Sequence, residues 1–244
     1  MNKNPNNKYL KLIVFIFIIG FTLSGFKSAE YKMNPLKTGE IVAGIYAVND
    51  KFVNMFVIRD GESYLVIDAG SDANNIESEL QKLKIEPDKV EAVLLTHTHH
   101  DHTATINLFK NARIYLSDKE IETKNGEKPK VLTLAKDTYK NEFSFVTDQQ
   151  IIHFKKTTVK AIFTPGHTPG STCYLVNDQY LFVGDAFSLN DGKIDKPNKI
   201  YSKDMNAAIQ SFGKINNLAH VRYIFTAHTG YSGDYKNAIK TELK

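Results

Sequence analysis

One cysteine among 244 residues leaves no partner for an internal disulfide, so the fold must be held by its core. That residue, Cys173, lies in STCYLV, a strand-like run, and reads as a packing residue rather than a nucleophile. A serine nucleophile lacks support as well, because G-x-S-x-G does not occur. The apolar run Leu12–Leu23 is broken by Gly20 and Thr22 and is short for a membrane span. Net charge is also scarce once its position is considered. Of 31 basic residues, Lys3, Lys8, Lys11 and Lys27 fall in residues 1–29, which hold no acid, leaving 27 basic against 27 acidic residues. The pI of 8.8 therefore belongs to the N-terminus and gives no support to a nucleic-acid partner. No repeat at a fixed short period and no low-complexity tract is present.

The N-terminal stretch MNKNPNNKYLKLIVFIFIIGFTLSGFKSAE places a lysine-dotted polar start before an apolar run, the layout of a secretory signal. Small residues follow at Ser24, Gly25, Ser28 and Ala29, without a clean A-x-A pattern and without a cysteine to carry a lipid. Residues 1–29 are expected to be a signal peptide or an uncleaved anchor; a buried N-terminal helix is the bland alternative. Residues 30–244 are expected to form one domain working outside the cytoplasm, secreted, periplasmic or at the cell surface. Any membrane contact would run through an uncleaved N-terminus.

Residues 30–40 read as a linker, with Pro35 and Gly39. IVAGIYAV reads as one strand, and FVNMFVIRDGESYLVIDAG as a hairpin turning at Asp60-Gly61. Residues 72–84 show helical spacing with Asp72 as cap, and KVEAVLLT is an apolar strand. Residues 103–110 read as a short helix and ARIYLS as a strand. Residues 117–148 are polar and lysine-rich, a candidate cap over a site. QIIHFKK, TVKAIFT, STCYLVND and QYLFVGDAF read as strands, the last two turning near Asn177-Asp178. Residues 203–216 are helical, VRYIFTAHTG is a strand, and 234–243 is a last helix. Strands alternating with helices, with hairpins mixed in, predict α/β layers built on mixed sheets.

The chemistry concentrates in THTHHDH. His97 and His99 are two apart, so in extended backbone their imidazoles share a face and can converge on one ion. Asp101 and His102 follow as the chain turns, and can face a neighbouring ion; the parity of His100 sets it apart. Three further residues share one trait, a polar group just past an apolar strand: His167 in TPGHTPG, Asp185 in VGDAF and His228 in TAHTG. Loops at the ends of sheet strands are where ligands are commonly presented. Imidazole with carboxylate suits zinc, and also iron or manganese.

H-x-H-x-D-H, followed in order by TPGHTPG, GD and a strand-end histidine, resembles the metallo-β-lactamase superfamily over roughly residues 40 to 230. The resemblance implies an αββα four-layer sandwich, two packed mixed sheets flanked by helices with the metals at one edge. It implies one metal on His97, His99 and His167, a second on Asp101, His102 and His228, and Asp185 bridging them. It gives Asp68, in VIDAG, the role of supporting the motif loop from behind; a turn residue or helix cap is the plain alternative. Two Zn2+ sharing a water lower its pKa and yield a hydroxide that attacks a carbonyl. Asp101 is the best-placed carboxylate for proton handling, and Tyr115, Tyr201 and Tyr231 are candidate contacts to a small-molecule substrate.

The resemblance also sorts the branches. True β-lactamases of the superfamily generally lack a bridging aspartate, so VGDAF is closer to the glyoxalase-II-like, lactonase and general-hydrolase branches. Glyoxalase II carries a C-terminal helical domain for glutathione, whereas this sequence ends 16 residues after His228, which puts glutathione thioesters in doubt. The reading is a binuclear zinc hydrolase of a small ester, thioester or lactone. The alternatives are an oxidoreductase similar to mononuclear-iron persulfide dioxygenases, a β-lactam hydrolase and a non-catalytic metal-binding protein. Oligomeric state is left open.

Overall fold

Period-two alternation in the apolar strands divides their side chains between separate layers. In β3 (Val53–Asp60), Met55 and Val57 point one way while Phe56 and Ile58 point the other. In β10 (Thr172–Val176), Tyr174 and Val176 join the layer of Phe56, while Cys173 and Leu175 face away from it. A strand apolar on both faces must be covered on both, and that requirement builds the architecture. The computed structural model describes residues 33–121, 142–195, 199 and 202–240.

The first sheet has seven strands in sequence order: β1 (Gly39–Val42), β2 (Ile45–Asp50), β3, β4 (Ser63–Ile67), β5 (Val90–Leu94), β6 (Arg113–Ser117) and β7 (Phe143–Val146). Pairing is antiparallel as far as β4 and parallel from β4 to β7. The second sheet is built from β8 (Ile151–His153), β9 (Thr158–Phe163), β10, β11 (Tyr180–Phe182), β14 (Tyr223–Phe225) and β15 (Tyr231–Ser232). Its order is β15-β14-β11-β10-β9-β8, parallel only between β11 and β14. A small hairpin, β12 (Leu189–Asn190) with β13 (Lys193–Ile194), stands apart.

Phe56, Leu65, Leu94, Tyr174, Phe182 and Phe225 fill the layer between the sheets. Phe182 and Phe225 stack at 4.6 Å between centroids, and the buried Tyr174 hydroxyl donates to Leu95 O at 3.0 Å, tying sheet to sheet. On the outer face of the first sheet, α1 (Ala73–Lys82) buries Ile76 and Leu80, with Asp72 capping its N-terminus. On the outer face of the second, α3 (Met205–Asn216) buries Phe212 and Ile215 under the cap Asp204, and α4 (Tyr235–Ala238) adds Tyr235 and Ala238. Helix, sheet, sheet and helix make the αββα sandwich.

Four local readings need correction. IVAGIYAV is two strands, β1 and β2, folded back at Ala43–Gly44. Residues 33–40 are not a plain linker: Leu36 N donates to Asn54 Oδ1 at 2.7 Å and Leu36 O accepts from the Asn49 and Asn54 amides. Two buried-facing asparagines thus recruit the segment. Helix α2 (His100–Thr103) starts inside the histidine cluster and stops at Thr103, leaving only a 3-10 turn at Ile106–Leu108. At its end Ala104 N shares its bond to His100 O, at 2.9 Å, with Gly70 O at 3.1 Å, and the Thr105 hydroxyl donates to Ala69 O, contacts with another loop. The last helix is only one turn in the described residues. Residues 1–29, and 122–141 of the expected cap, lie outside them. No described helix is long and apolar enough to cross a membrane.

Candidate metal centre

Strand direction explains why distant residues meet. Parallel β4 and β5 bring Asp68 and the His97 loop to the same end of the first sheet. In the second sheet β11 and β14 are parallel and β9 runs the same way, so their C-terminal ends carry Asp185, His228 and the His167 loop to one edge. Asn54 N donates to Ala227 O at 2.8 Å and Thr172 N to Thr96 O at 2.9 Å, locking the two edges together there.

All seven expected donors converge, in two adjoining groups: His97, His99, His167 and Asp185, and Asp101, His102 and His228. In the first, His167 Nε2 stands 3.1 Å from His97 Nε2 and 2.9 Å from His99 Nδ1. Ligands about a tetrahedral zinc at 2.0–2.1 Å lie roughly 3.3 Å apart, close to this spacing. In the second, His228 Nε2 and His102 Nε2 lie 3.4 and 3.5 Å from Asp101 Oδ2. Asp185 sits between the groups, Oδ2 at 3.5 Å from His167 Nε2 and Oδ1 at 3.2 Å from His228 Nε2 and 3.4 Å from His102 Nε2. His100 is exposed on α2, outside both groups.

Two buried atoms in this cluster, His102 Nε2 and Asp185 Oδ1, have no hydrogen-bond partner among the described residues. Buried polar atoms are rarely orphaned, and two orphans aimed at one point fit a cation held between them. Imidazole nitrogens and carboxylate oxygens are suitable donors for it. The donor set therefore fits metal.

The surroundings hold each ring in place. His102 Nδ1 meets Asp68 Oδ2 at 2.8 Å, and Asp68 Oδ1 accepts from Thr96 N at 2.8 Å. His97 Nδ1 faces Thr96 Oγ1 at 3.1 Å, and His228 Nδ1 bonds Phe52 O at 2.6 Å, with the half-exposed Phe52 ring stacked on the imidazole. Gly184 delivers Asp185 through a left-handed turn at φ +52, where a Cβ would stand 2.7 Å from Thr96 Cβ.

Charge is distributed unevenly. Burial, then the neighbouring His102, holds His97 well below the usual imidazole range, and burial with His167 lowers His99. Burial opposes protonation of His102, yet Asp185 and Asp68 hold it well above that range; Asp185 likewise raises His228 against burial. Asp185 ionises well below the ordinary carboxylate range, because His102 and His228 outweigh its burial. Asp101 is lowered by the same two histidines against burial.

Two of the tyrosine expectations can be placed. The half-buried ring of Tyr115 packs edge-on against Phe154, among the side chains between the sheets. Tyr231 lines a cleft of about 500 Å3 with Asn34, Leu36, Leu189 and Thr229, next to the His228 loop. Tyr201 lies outside the described residues. Cys173 is fully buried and its thiol is pushed up to about 12 by burial, which disqualifies it as a nucleophile. A buried carboxylate absent from the sequence-based expectations, Glu120, bridges Thr98 to the His167 loop. Asp118 and Glu120 both follow an apolar strand, the trait that marked the other donors, but nothing in the sequence distinguished one from the other.

Among curated proteins, the chain is 28% identical over 204 residues to the "probable polyketide biosynthesis zinc-dependent hydrolase PksB" of Bacillus subtilis, covering 82% of this chain and 79% of that one. It is 29% identical over 151 residues to a "probable metallo-hydrolase" of Methanocaldococcus jannaschii, covering 62% and 63%. These relatives carry metallo-hydrolase names rather than β-lactamase names. Among solved structures, a metallo-beta-lactamase family protein from Thermus thermophilus superposes with a TM-score of 0.63 at 18% identity, covering 82% of this chain and 78% of that one. A subclass B3 metallo-beta-lactamase of Bradyrhizobium japonicum gives 0.60 at 17%, covering 82% and 80%; at such identities the likeness shows the fold alone. The family model described as the metallo-beta-lactamase superfamily matches residues 48–240, most of the chain, and the protein belongs to that superfamily.

Proposed function

We propose that the protein is a binuclear zinc hydrolase acting on a small ester, thioester or lactone. The observation that carries this reading is the position of Asp185, with one oxygen toward each ligand group, Oδ2 toward His167 and Oδ1 toward His102 and His228. His97, His99 and His167 would hold one ion, Asp101, His102 and His228 the other, with Asp185 between them. Bound ions of this kind lower the pKa of water to near neutrality and polarise a carbonyl oxygen.

The chain's own residues would then orient and exclude. Asp68 and Phe52 O fix the ring planes of His102 and His228. Asp101, the cluster carboxylate with the most exposed side chain at 23%, is the one able to pass a proton outward. The cleft beside the His228 loop, lined by Asn34, Asn190, Asp191 and Thr229 as well as Leu36, Leu189 and Tyr231, suits a small substrate with polar groups. The apolar run Leu12–Leu23 behind a lysine-dotted start supports an extracytoplasmic site of action.

Elemental analysis of the purified chain, together with a panel of chromogenic esters, thioesters, lactones and a cephalosporin, tests the reading. Two zinc per chain with turnover of an ester, thioester or lactone is expected. One iron per chain with oxygen uptake would overturn it in favour of an oxidoreductase, and preferential cephalosporin turnover in favour of a β-lactamase.

A further inference from the structure

Glu120 ends the 3-10 turn Asp118–Glu120 that follows β6, and is 8% exposed. Its Oε2 accepts from Thr98 N at 3.0 Å and from Thr98 Oγ1 at 2.7 Å. Its Oε1 accepts from Gly170 N at 2.9 Å and from the Thr168 hydroxyl. Four donors fill the acceptor capacity of one carboxylate. Glu120 makes no ion pair among the described residues and belongs to neither ligand group. Its contacts have a pattern: Thr98 separates His97 from His99, and Thr168 directly follows His167. One side chain thus cross-links two loops from different sheets, each at the residue beside a donor. The approach is close enough that a Cβ on Gly170 would stand 2.5 Å from Glu120 N and 2.8 Å from Glu120 Oε1.

We infer that Glu120 is a positioning residue, setting the separation of the His97–His99 loop from the His167 loop and so the affinity of the ion those three histidines hold. This rests on the binuclear reading above. The other half of the centre is braced by different groups, Asp68 behind His102 and Phe52 O behind His228. Loss of Glu120 therefore acts on one half only. Contacts that orient metal ligands are worth about 10–100-fold in metal affinity.

Glu120→Gln tests this with little change of shape. The amide keeps one acceptor oxygen, so its NH2 faces donors on one loop or the other. Zinc affinity of the full chain, measured by chelator competition, should fall about 10–100-fold for one ion and stay unchanged for the second. The visible absorption of the cobalt-substituted protein should change with it. A merely structural role would weaken both ions together, in step with the unfolding midpoint, and that result overturns the inference, as does unchanged affinity for both. Should Glu120→Gln not fold, Thr168→Val removes a single hydroxyl from the same carboxylate. A smaller weakening of the same ion is expected, and no change overturns the inference. A native chain that takes up no zinc overturns the binuclear reading and this inference together. Two ions in the native chain with Glu120→Gln unaffected overturns the role of Glu120 alone.

Discussion

The carboxylate of Asp68 lies 2.8 Å from His102 Nδ1 and, through its other oxygen, holds the N–H of Thr96 at 2.8 Å. One buried acid therefore fixes both the ring plane of a donor and the start of the loop that carries the donors. Because Nδ1 is engaged from behind, Nε2 is turned toward Asp101 and Asp185.

Replacing Asp68 should weaken the half of the centre containing His102. Asparagine is the informative substitution, since Asp68 has φ +59, a left-handed conformation that asparagine tolerates and alanine does not. Asp68→Asn is expected to lower affinity for one zinc by about 10–100-fold, read by chelator competition. Equal affinities in native and variant protein would show that Asp68 is only a turn residue.

Removing donors should lower metal content in proportion to their sharing. His97→Ala is expected to lose one ion, and Asp185→Ala, which faces both groups, to retain at most one, each with loss of hydrolysis. Elemental analysis after dialysis checks this. Unchanged metal content in both variants would refute the site.

Metal uptake should release protons. In the metal-free chain Asp185 and Asp68 hold His102 well above the usual imidazole range, against burial, and so favour its protonated form. That raised pKa stabilises the metal-free fold below about 6.5, the unfolded value, and the contribution is lost as pH rises through the folded value. A metal ion must displace this proton, so affinity should rise with pH across the same range. Zinc added to weakly buffered metal-free protein at pH 7 should acidify it, and Asp68→Asn should release less; a proton yield of zero would contradict the prediction.

Gly184→Ala should be costly although it touches no donor atom. A left-handed conformation costs alanine about 1–2 kcal/mol, and forcing a methyl into a packed site adds about 1–3 kcal/mol. Here the added carbon would lie 2.7 Å from Thr96 Cβ. Urea unfolding should show a loss of about 2–5 kcal/mol, and a loss under 0.5 kcal/mol would count against the packing described.

Cys173 should be silent to thiol reagents in the folded protein. With its thiol pushed up to about 12 by burial, almost no thiolate exists at pH 8. Labelling by iodoacetamide should track denaturant-induced unfolding; rapid labelling in native buffer would place the thiol outside the core.

Much of the fold could be read from the strands because their apolar runs are long enough to show a period. β3, β5 and β10 were legible for that reason, as was α1 with its Asp72 cap. The strands β12, β13 and β15 have two residues each, too few to carry any periodicity. Just past helix α2, Ala104 and Thr105 bond the loop at Ala69 and Gly70, and such contacts leave no local trace. Nothing in the sequence shows what the Tyr115 ring packs against; it meets Phe154, which lies far away in the chain.

The sequence by itself determined which side chains could supply the chemistry of the centre, because histidine and aspartate carry donor atoms suited to metal wherever the chain places them. Their grouping into two sets, with Asp185 between, was decided by tertiary structure, since the parallel pairings β4·β5 and β11·β14, and the antiparallel pairings of β10 with β9 and β11, bring the ends of these strands to one edge. The support behind the donors was decided there too. Glu120 and Asp68 act through hydrogen bonds to Thr98, Thr168, Gly170, Thr96 and His102, and a hydrogen bond reaches only about 3 Å in space, whatever the separation along the chain.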